Sequence, residues 1–205
     1  MPFWKFITAI TLSLVTFLFW GCGKETKLKN FPPPSKKICC FGDSLVYGTG
    51  AASLEDSYPR ELEKITELEV LSFGTPGDTT AQALPKCKSL QNQGFGIIIV
   101  TLGGNDILQR VRWEKTEKNL HSLFQTIQTT GAVVVFTGIT GPLNPTRNKL
   151  YKKICKKEGV LYIPEILDGI IDDPSLRADE VHPNSQGYRI MAERIAKSLK
   201  VAKLF

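Results

Sequence analysis

The chain has 205 residues, 42% hydrophobic and 22% charged, with a formal net charge of +6. That is an ordinary globular composition, long enough for one well-cored domain. Lys5 supplies one of the six charges and residues 22–37 supply four, from five lysines and one glutamate, so residues 38–205 stand near +1. A nucleic-acid footprint needs a basic patch on the folded part, and a domain this close to neutral argues against that class of partner.

The first element is MPFWKFITAITLSLVTFLFWGC, with one lysine, no acids and an apolar run from Phe6 to Trp20. Lys5 is a weak n-region, the run is a signal-type h-region, and Gly21 is the small residue expected before a cleavage point. Cys22 after Gly21 resembles the lipobox of bacterial lipoproteins, in which the cysteine takes the lipid and becomes the mature N-terminus. The expectation is a signal peptide over residues 1–21 and a protein exported and held to a membrane at Cys22. An uncleaved anchor is the alternative: a run of about 15 apolar residues is short for a span but not too short for one. Residues 22–37 carry lysines, one Phe and three consecutive prolines, a composition that reads as an extended, lipid-anchored tether.

From Ile38 onward short apolar runs alternate with amphipathic stretches. Ile38–Phe41, Glu69–Phe73, Ile97–Leu102, Val133–Ile139 and Val160–Ile163 read as strands, and the β-branched runs IIIVTL and VVVFTGI suit strands covered on both faces. Helices are expected over Ser57–Thr66, Thr79–Gln91, Glu114–Thr130, Thr146–Glu158 and Ser185–Lys203. Five alternations predict a single three-layer α/β/α domain over residues 38–205, doubly wound on a five-stranded parallel sheet. Cys39 and Cys40 are expected on opposite faces of the first strand. Cys87 and Cys155 leave a disulfide conceivable, and no cysteine or histidine spacing suggests a metal site.

Ligands of such sheets bind beyond the carboxyl ends of the strands. Gly42-Asp43-Ser44 follows the first strand, GTPGDTT (residues 74–80) the second, and Gly103-Gly104-Asn105-Asp106 the third. A serine that attacks an ester needs a base, a group that orients the base, and donors for the oxyanion. Of the two histidines, His121 lies mid-helix and reads as a surface residue. His182 precedes Pro183 and therefore sits on a loop, with Asp179 three residues earlier able to fold back onto its ring and Glu180 a rival for that role. Oxyanion donors are available at the Ser44 and Gly77 amides and at the Asn105 side chain.

GDSLVYG, GTPGDTT, LGGND and DEVHPN, in this order, resemble blocks I, II, III and V of the SGNH (GDSL) hydrolases, and DSYP at residues 56–59 resembles the first helix of their thioesterase/lysophospholipase-like bacterial members. The resemblance spans residues 38 to about 190 and implies a flavodoxin-like fold with no cofactor. It implies Ser44 as nucleophile, His182 as general base and acid, Asp179 as its orienter, and Ser44, Gly77 and Asn105 as the oxyanion hole, with Asp43 holding the nucleophile loop. Ser72 departs from the pattern, because block II usually opens with Asn. The expected activity is a monomeric serine hydrolase acting on small-molecule or lipid esters at the cell envelope, an esterase or lysophospholipase. A carbohydrate O-acetyl esterase, or a non-catalytic surface lipoprotein that has kept the fold, are the alternatives.

Overall fold

A computed structural model describes residues 27–140 and 145–205. The expected signal peptide, residues 1–21, and the lipidation candidate Cys22 lie outside the described residues. No helix among the described residues is long and apolar enough to cross a membrane.

The strands are β1 (Ile38–Gly42), β2 (Val70–Gly74), β3 (Ile97–Thr101), β4 (Val133–Phe136) and β5 (Leu161–Tyr162). All neighbours pair in parallel, in the order β2-β1-β3-β4-β5. Sequence order reverses direction between β1 and β3, so the crevice that receives ligands in this architecture opens at the carboxyl ends of those two strands. The helices are α1 (Ser44–Tyr47), α2 (Tyr58–Thr66), α3 (Thr80–Lys86), α4 (Gly104–Leu108), α5 (Trp113–Gln128), α6 (Pro145–Glu158) and α7 (Ser185–Val201).

Both faces of the sheet are covered, because successive strand residues point to opposite sides and both sets are apolar. Ile38, Cys40, Ile97, Ile99, Val133 and Val135 pack against α2 and α7 through Tyr58, Leu62, Tyr188, Met191 and Ile195. Cys39, Phe41, Ile98, Val100, Val134 and Phe136 pack against α3, α5 and α6 through Ala83, Leu120, Phe124, Tyr151 and Ile154. Cys39 and Cys40 thus fill opposite layers as expected. Cys39, Cys40, Cys87 and Cys155 are all free and buried.

Two features differ from expectation. The short helices α1 and α4 stand directly after β1 and β3, in polar segments for which no helix was expected. The predicted tether also ends sooner than residue 37. Lys29 N–H donates to Gly159 O (2.9 Å), Asn30 Nδ2 to Gln128 O and Ala132 O (2.9 and 3.0 Å), and Ser35 Oγ to Gly94 O (2.7 Å). Each acceptor precedes a strand, so residues 27–37 run as a strap along the amino-terminal edge of the sheet, and Leu28 packs onto the core. Lysines and prolines do not predict this, because the strap's acceptors are backbone carbonyls far off in sequence.

Candidate active site

Gly42 ends β1 where a side chain cannot fit: a Cβ there would run into the Thr101 carbonyl and Val46. The chain therefore passes close to β3 and turns at once. Asp43 caps α1 by accepting from Leu45 N–H at 3.0 Å, which sets Ser44 at the first position of the helix with its own N–H outside the intrahelical ladder.

The histidine arrives from the opposite end of the chain. His182 Nε2 lies 3.0 Å from Ser44 Oγ, and His182 Nδ1 lies 2.7 Å from Asp179 Oδ2. An ionised carboxylate only accepts, so Nδ1 carries the proton and Nε2 offers its lone pair to the serine hydroxyl. Asp179 Oδ1 takes the Val181 and His182 amides, each at 2.8 Å, so its two oxygens hold both the loop and the ring. Partial burial pushes this carboxyl up, but those two amides and the imidazole outweigh it and hold it below the usual carboxylate range. Glu180, the rival, is exposed.

The oxyanion candidates sit on the neighbouring loops. Thr75 N–H donates to Gly42 O at 2.9 Å, and Asn105 Nδ2 donates to Asp78 O at 3.0 Å. Gly77 lies between these two anchors with a left-handed φ of 84°. Among the described residues its N–H donates to no acceptor. The second Asn105 N–H is only loosely engaged, with Nδ2 at 3.5 Å from Asp43 Oδ2, and is available to a ligand. Ser72, the departure from the block II pattern, donates through Oγ to Val46 O at 3.0 Å and so ties β2 to α1.

Asp43 is a buried carboxyl of the site. Burial pushes its carboxyl up to about 7; the Leu45 amide opposes this, and the nearby Asp78 and Asp106 carboxylates reinforce it.

Several supporting residues carry no sequence signal of their own. Asp106 is fully buried and accepts from Thr80 N–H (2.8 Å), Thr80 Oγ1 (2.6 Å) and Thr116 Oγ1 (2.9 Å), which locks the second and third loops together. Asp78 pairs with Lys86 at 2.6 Å. The loop after α1 braces the histidine loop: Ala52 N–H donates to Ser185 Oγ (2.9 Å), Ser185 Oγ donates to Asp56 Oδ2 (3.2 Å), and Tyr188 OH donates to Thr49 O (2.6 Å). Gly50, with φ 95°, lies where a Cβ would fall 2.6 Å from Pro183 O and 3.2 Å from His182 Cβ. His121 is engaged elsewhere, 2.7 Å from Glu158 Oε1.

Comparison with known proteins agrees with this frame. The profile of the GDSL-like lipase/acylhydrolase family matches residues 40–190. Thioesterase 1/protease 1/lysophospholipase L1 of Escherichia coli (strain K12) is 27% identical over 173 residues, covering 80% of this chain and 83% of that protein. The crystal structure of TesA superposes with a TM-score of 0.74 at 24% identity, covering 80% of this chain and 98% of that one, and speaks for the fold alone. AlinE4, an SGNH-hydrolase family esterase, superposes with a TM-score of 0.65 at 28% identity, covering 82% of this chain and 95% of that one. The chain belongs to the GDSL-like lipase/acylhydrolase family and is a carboxylic ester hydrolase.

Proposed function

We propose that Ser44 is the nucleophile of this hydrolase, His182 its general base and acid, and Asp179 the group that orients His182. The observation that carries the reading is the unbroken contact chain from Ser44 Oγ through His182 to Asp179, at 3.0 and 2.7 Å. Ser44 Oγ attacks the ester carbonyl while its proton passes to His182 Nε2. The oxyanion takes hydrogen bonds from the Ser44 and Gly77 amides and from Asn105 Nδ2. Collapse of the tetrahedral intermediate expels the alcohol, which leaves with the proton from His182. Water, deprotonated by the same imidazole, then releases the acid and restores Ser44. Asp43 supports the nucleophile loop.

The substrates we infer are esters with an apolar portion, short acyl esters and lysophospholipids among them. Tyr47 at the end of α1, Leu108 at the end of α4 and Val181 beside His182 are 46%, 61% and 39% exposed, apolar groups close in the chain to Ser44, Asn105 and Asp179. The named activities of the Escherichia coli relative fall in the same range. We infer further that the enzyme is exported to the cell envelope and held there at Cys22, from the apolar run ending at Gly21-Cys22, and that it acts as a monomer, since Ser44, His182 and Asp179 meet within one chain.

A panel of p-nitrophenyl esters of rising chain length, run beside a lysophospholipid and an acetylated sugar, tests the substrate class. Turnover that favours the apolar esters is expected. Activity confined to the acetylated sugar would contradict it.

A further inference from the structure

Residues 38–205 stand near +1, but the four lysines of the strap bring the folded part to about +5, and that charge is unevenly distributed along the strands. At the amino-terminal edge the strap brings Lys27, Lys29 and Lys36, and α6 ends in Lys156 and Lys157. The carboxyl end of α7 adds Lys200 and Lys203, and all seven side chains are exposed. Of the carboxylates at this end, Glu69 pairs with Lys37 at 3.1 Å and Glu158 with His121 at 2.7 Å, while Glu67 at the end of α2 is exposed, one acid among the seven lysines. The opposite end reverses the sign. Between β5 and α7, residues 164–184 carry six carboxylates (Glu165, Asp168, Asp172, Asp173, Asp179 and Glu180) against Arg177 alone. Phe31 on the strap and Val201 at the end of α7 are 47% and 77% exposed, so the basic end also offers apolar groups.

We propose that the amino-terminal edge of the sheet is a docking surface for an anionic lipid bilayer, and that it holds the catalytic edge turned away from that bilayer. Clustered lysines with exposed apolar groups suit anionic headgroups. The acidic β5–α7 segment would be repelled by the same surface, so the two ends reinforce one orientation. Covalent geometry agrees. On the proposed attachment at Cys22, five residue steps to Lys27 span at most ~18 Å. A domain of this size is ~40 Å across, wider than that reach, so attachment at Cys22 favours orientations that keep the amino-terminal edge next to the membrane. The consequence for substrate rests on the serine-hydrolase reading above: esters reach Ser44 from the aqueous phase, as monomers, rather than from the anchoring bilayer. The docking itself does not depend on that reading.

The chain from residue 22 onward, the mature form inferred above, carries Cys22→Ser and is labelled with a fluorophore either at Lys156→Cys or at Leu54→Cys, which lies on the catalytic side of the fold. Each protein is mixed with vesicles containing a lipid-borne quencher. On phosphatidylcholine vesicles containing phosphatidylglycerol, quenching is expected at position 156 and not at position 54. Phosphatidylcholine alone, or about 1 M salt, where the Debye length falls to about 3 Å, should abolish the difference. So should the combined substitutions Lys29→Glu, Lys36→Glu, Lys200→Glu and Lys203→Glu, with hydrolysis of p-nitrophenyl acetate unchanged. Equal quenching at both positions, stronger quenching at position 54, or insensitivity to lipid charge would overturn the proposal. Retention by a DNA duplex in preference to the anionic vesicles would also overturn it. Failure of the unsubstituted protein to hydrolyse the soluble ester would instead strike at the serine-hydrolase reading and leave the quenching result standing.

Discussion

Asn105 and Asp43 meet across 3.5 Å and perform opposite kinds of work. Asn105 is a neutral donor whose amide is aimed by Asp78 O, so its contribution is felt when an oxyanion forms. Asn105→Ala is expected to lower kcat by roughly 10²–10³ with little change in KM. Steady-state kinetics on a p-nitrophenyl ester reads this directly. Asp43 is buried and pays in pH-dependent stability. Its folded pKa of about 7 lies above the ordinary value of 3.8, so the folded state binds this proton more tightly than the unfolded chain. Stability from this group is therefore full below pH ~4 and is lost as pH rises toward 7. Asp43→Asn keeps an acceptor for the Leu45 amide and removes the charge. Urea denaturation should find the variant more stable than the parent at pH 8, by on the order of 1 kcal/mol or more, with the advantage gone at pH 4. An Asp43→Asn protein less stable at pH 8 than at pH 4, relative to its parent, would contradict this.

At the scale of elements, catalysis depends on two loops that start far apart in sequence being pressed together. The segment after α1 braces the histidine loop through Ala52, Ser185 and Asp56, and Gly50 lets the two backbones touch. Gly50→Val puts a branched side chain at φ 95° against Pro183 O, at a cost of about 1–3 kcal/mol. It should also displace His182 from Ser44 and lower kcat at least tenfold, since a shift of about 1 Å is enough for that. Thermal denaturation and kinetics on the same preparation separate the two effects. Asn30→Ala is the control at the other edge. Its two bonds to Gln128 O and Ala132 O hold the strap, so stability should fall by about 1–2 kcal/mol with kcat unchanged. These braces mark where sequence reading stops. IIIVTL and VVVFTGI announce buried parallel strands, because a continuous β-branched run has few other uses, and the loops after β1, β2 and β3 follow from strand order. The pairing of Asp179 rather than Glu180 with His182 was likewise visible, since three residues suffice for a carboxylate to fold back on a ring. Asp106, Ser185 and Tyr188 were not legible as supports. Each is an ordinary polar residue until the fold brings a distant partner to it. The strap failed for a related reason, since proline and lysine describe local stiffness and solubility and say nothing of carbonyls waiting at the foot of the sheet.

For the whole molecule, the two apolar layers and the four buried free thiols imply a fold that needs no covalent cross-link. Addition of a reductant should leave Tm unchanged, whereas removal of a stabilising disulfide would cost about 2–4 kcal/mol and shift it by several degrees. The sheet delivers Ser44 from β1, Gly77 from the loop after β2, Asn105 from the loop after β3 and His182 from the segment before α7, all to one edge. That convergence is what turns a serine at a strand end into a candidate nucleophile. The most direct test is labelling with a fluorophosphonate, followed by mass spectrometry of the adduct. One phosphonyl group per chain, on Ser44, is expected, with labelling and ester hydrolysis both lost in a Ser44→Ala protein that unfolds at the parent's Tm. An adduct on another residue, or full hydrolysis by Ser44→Ala, would contradict it.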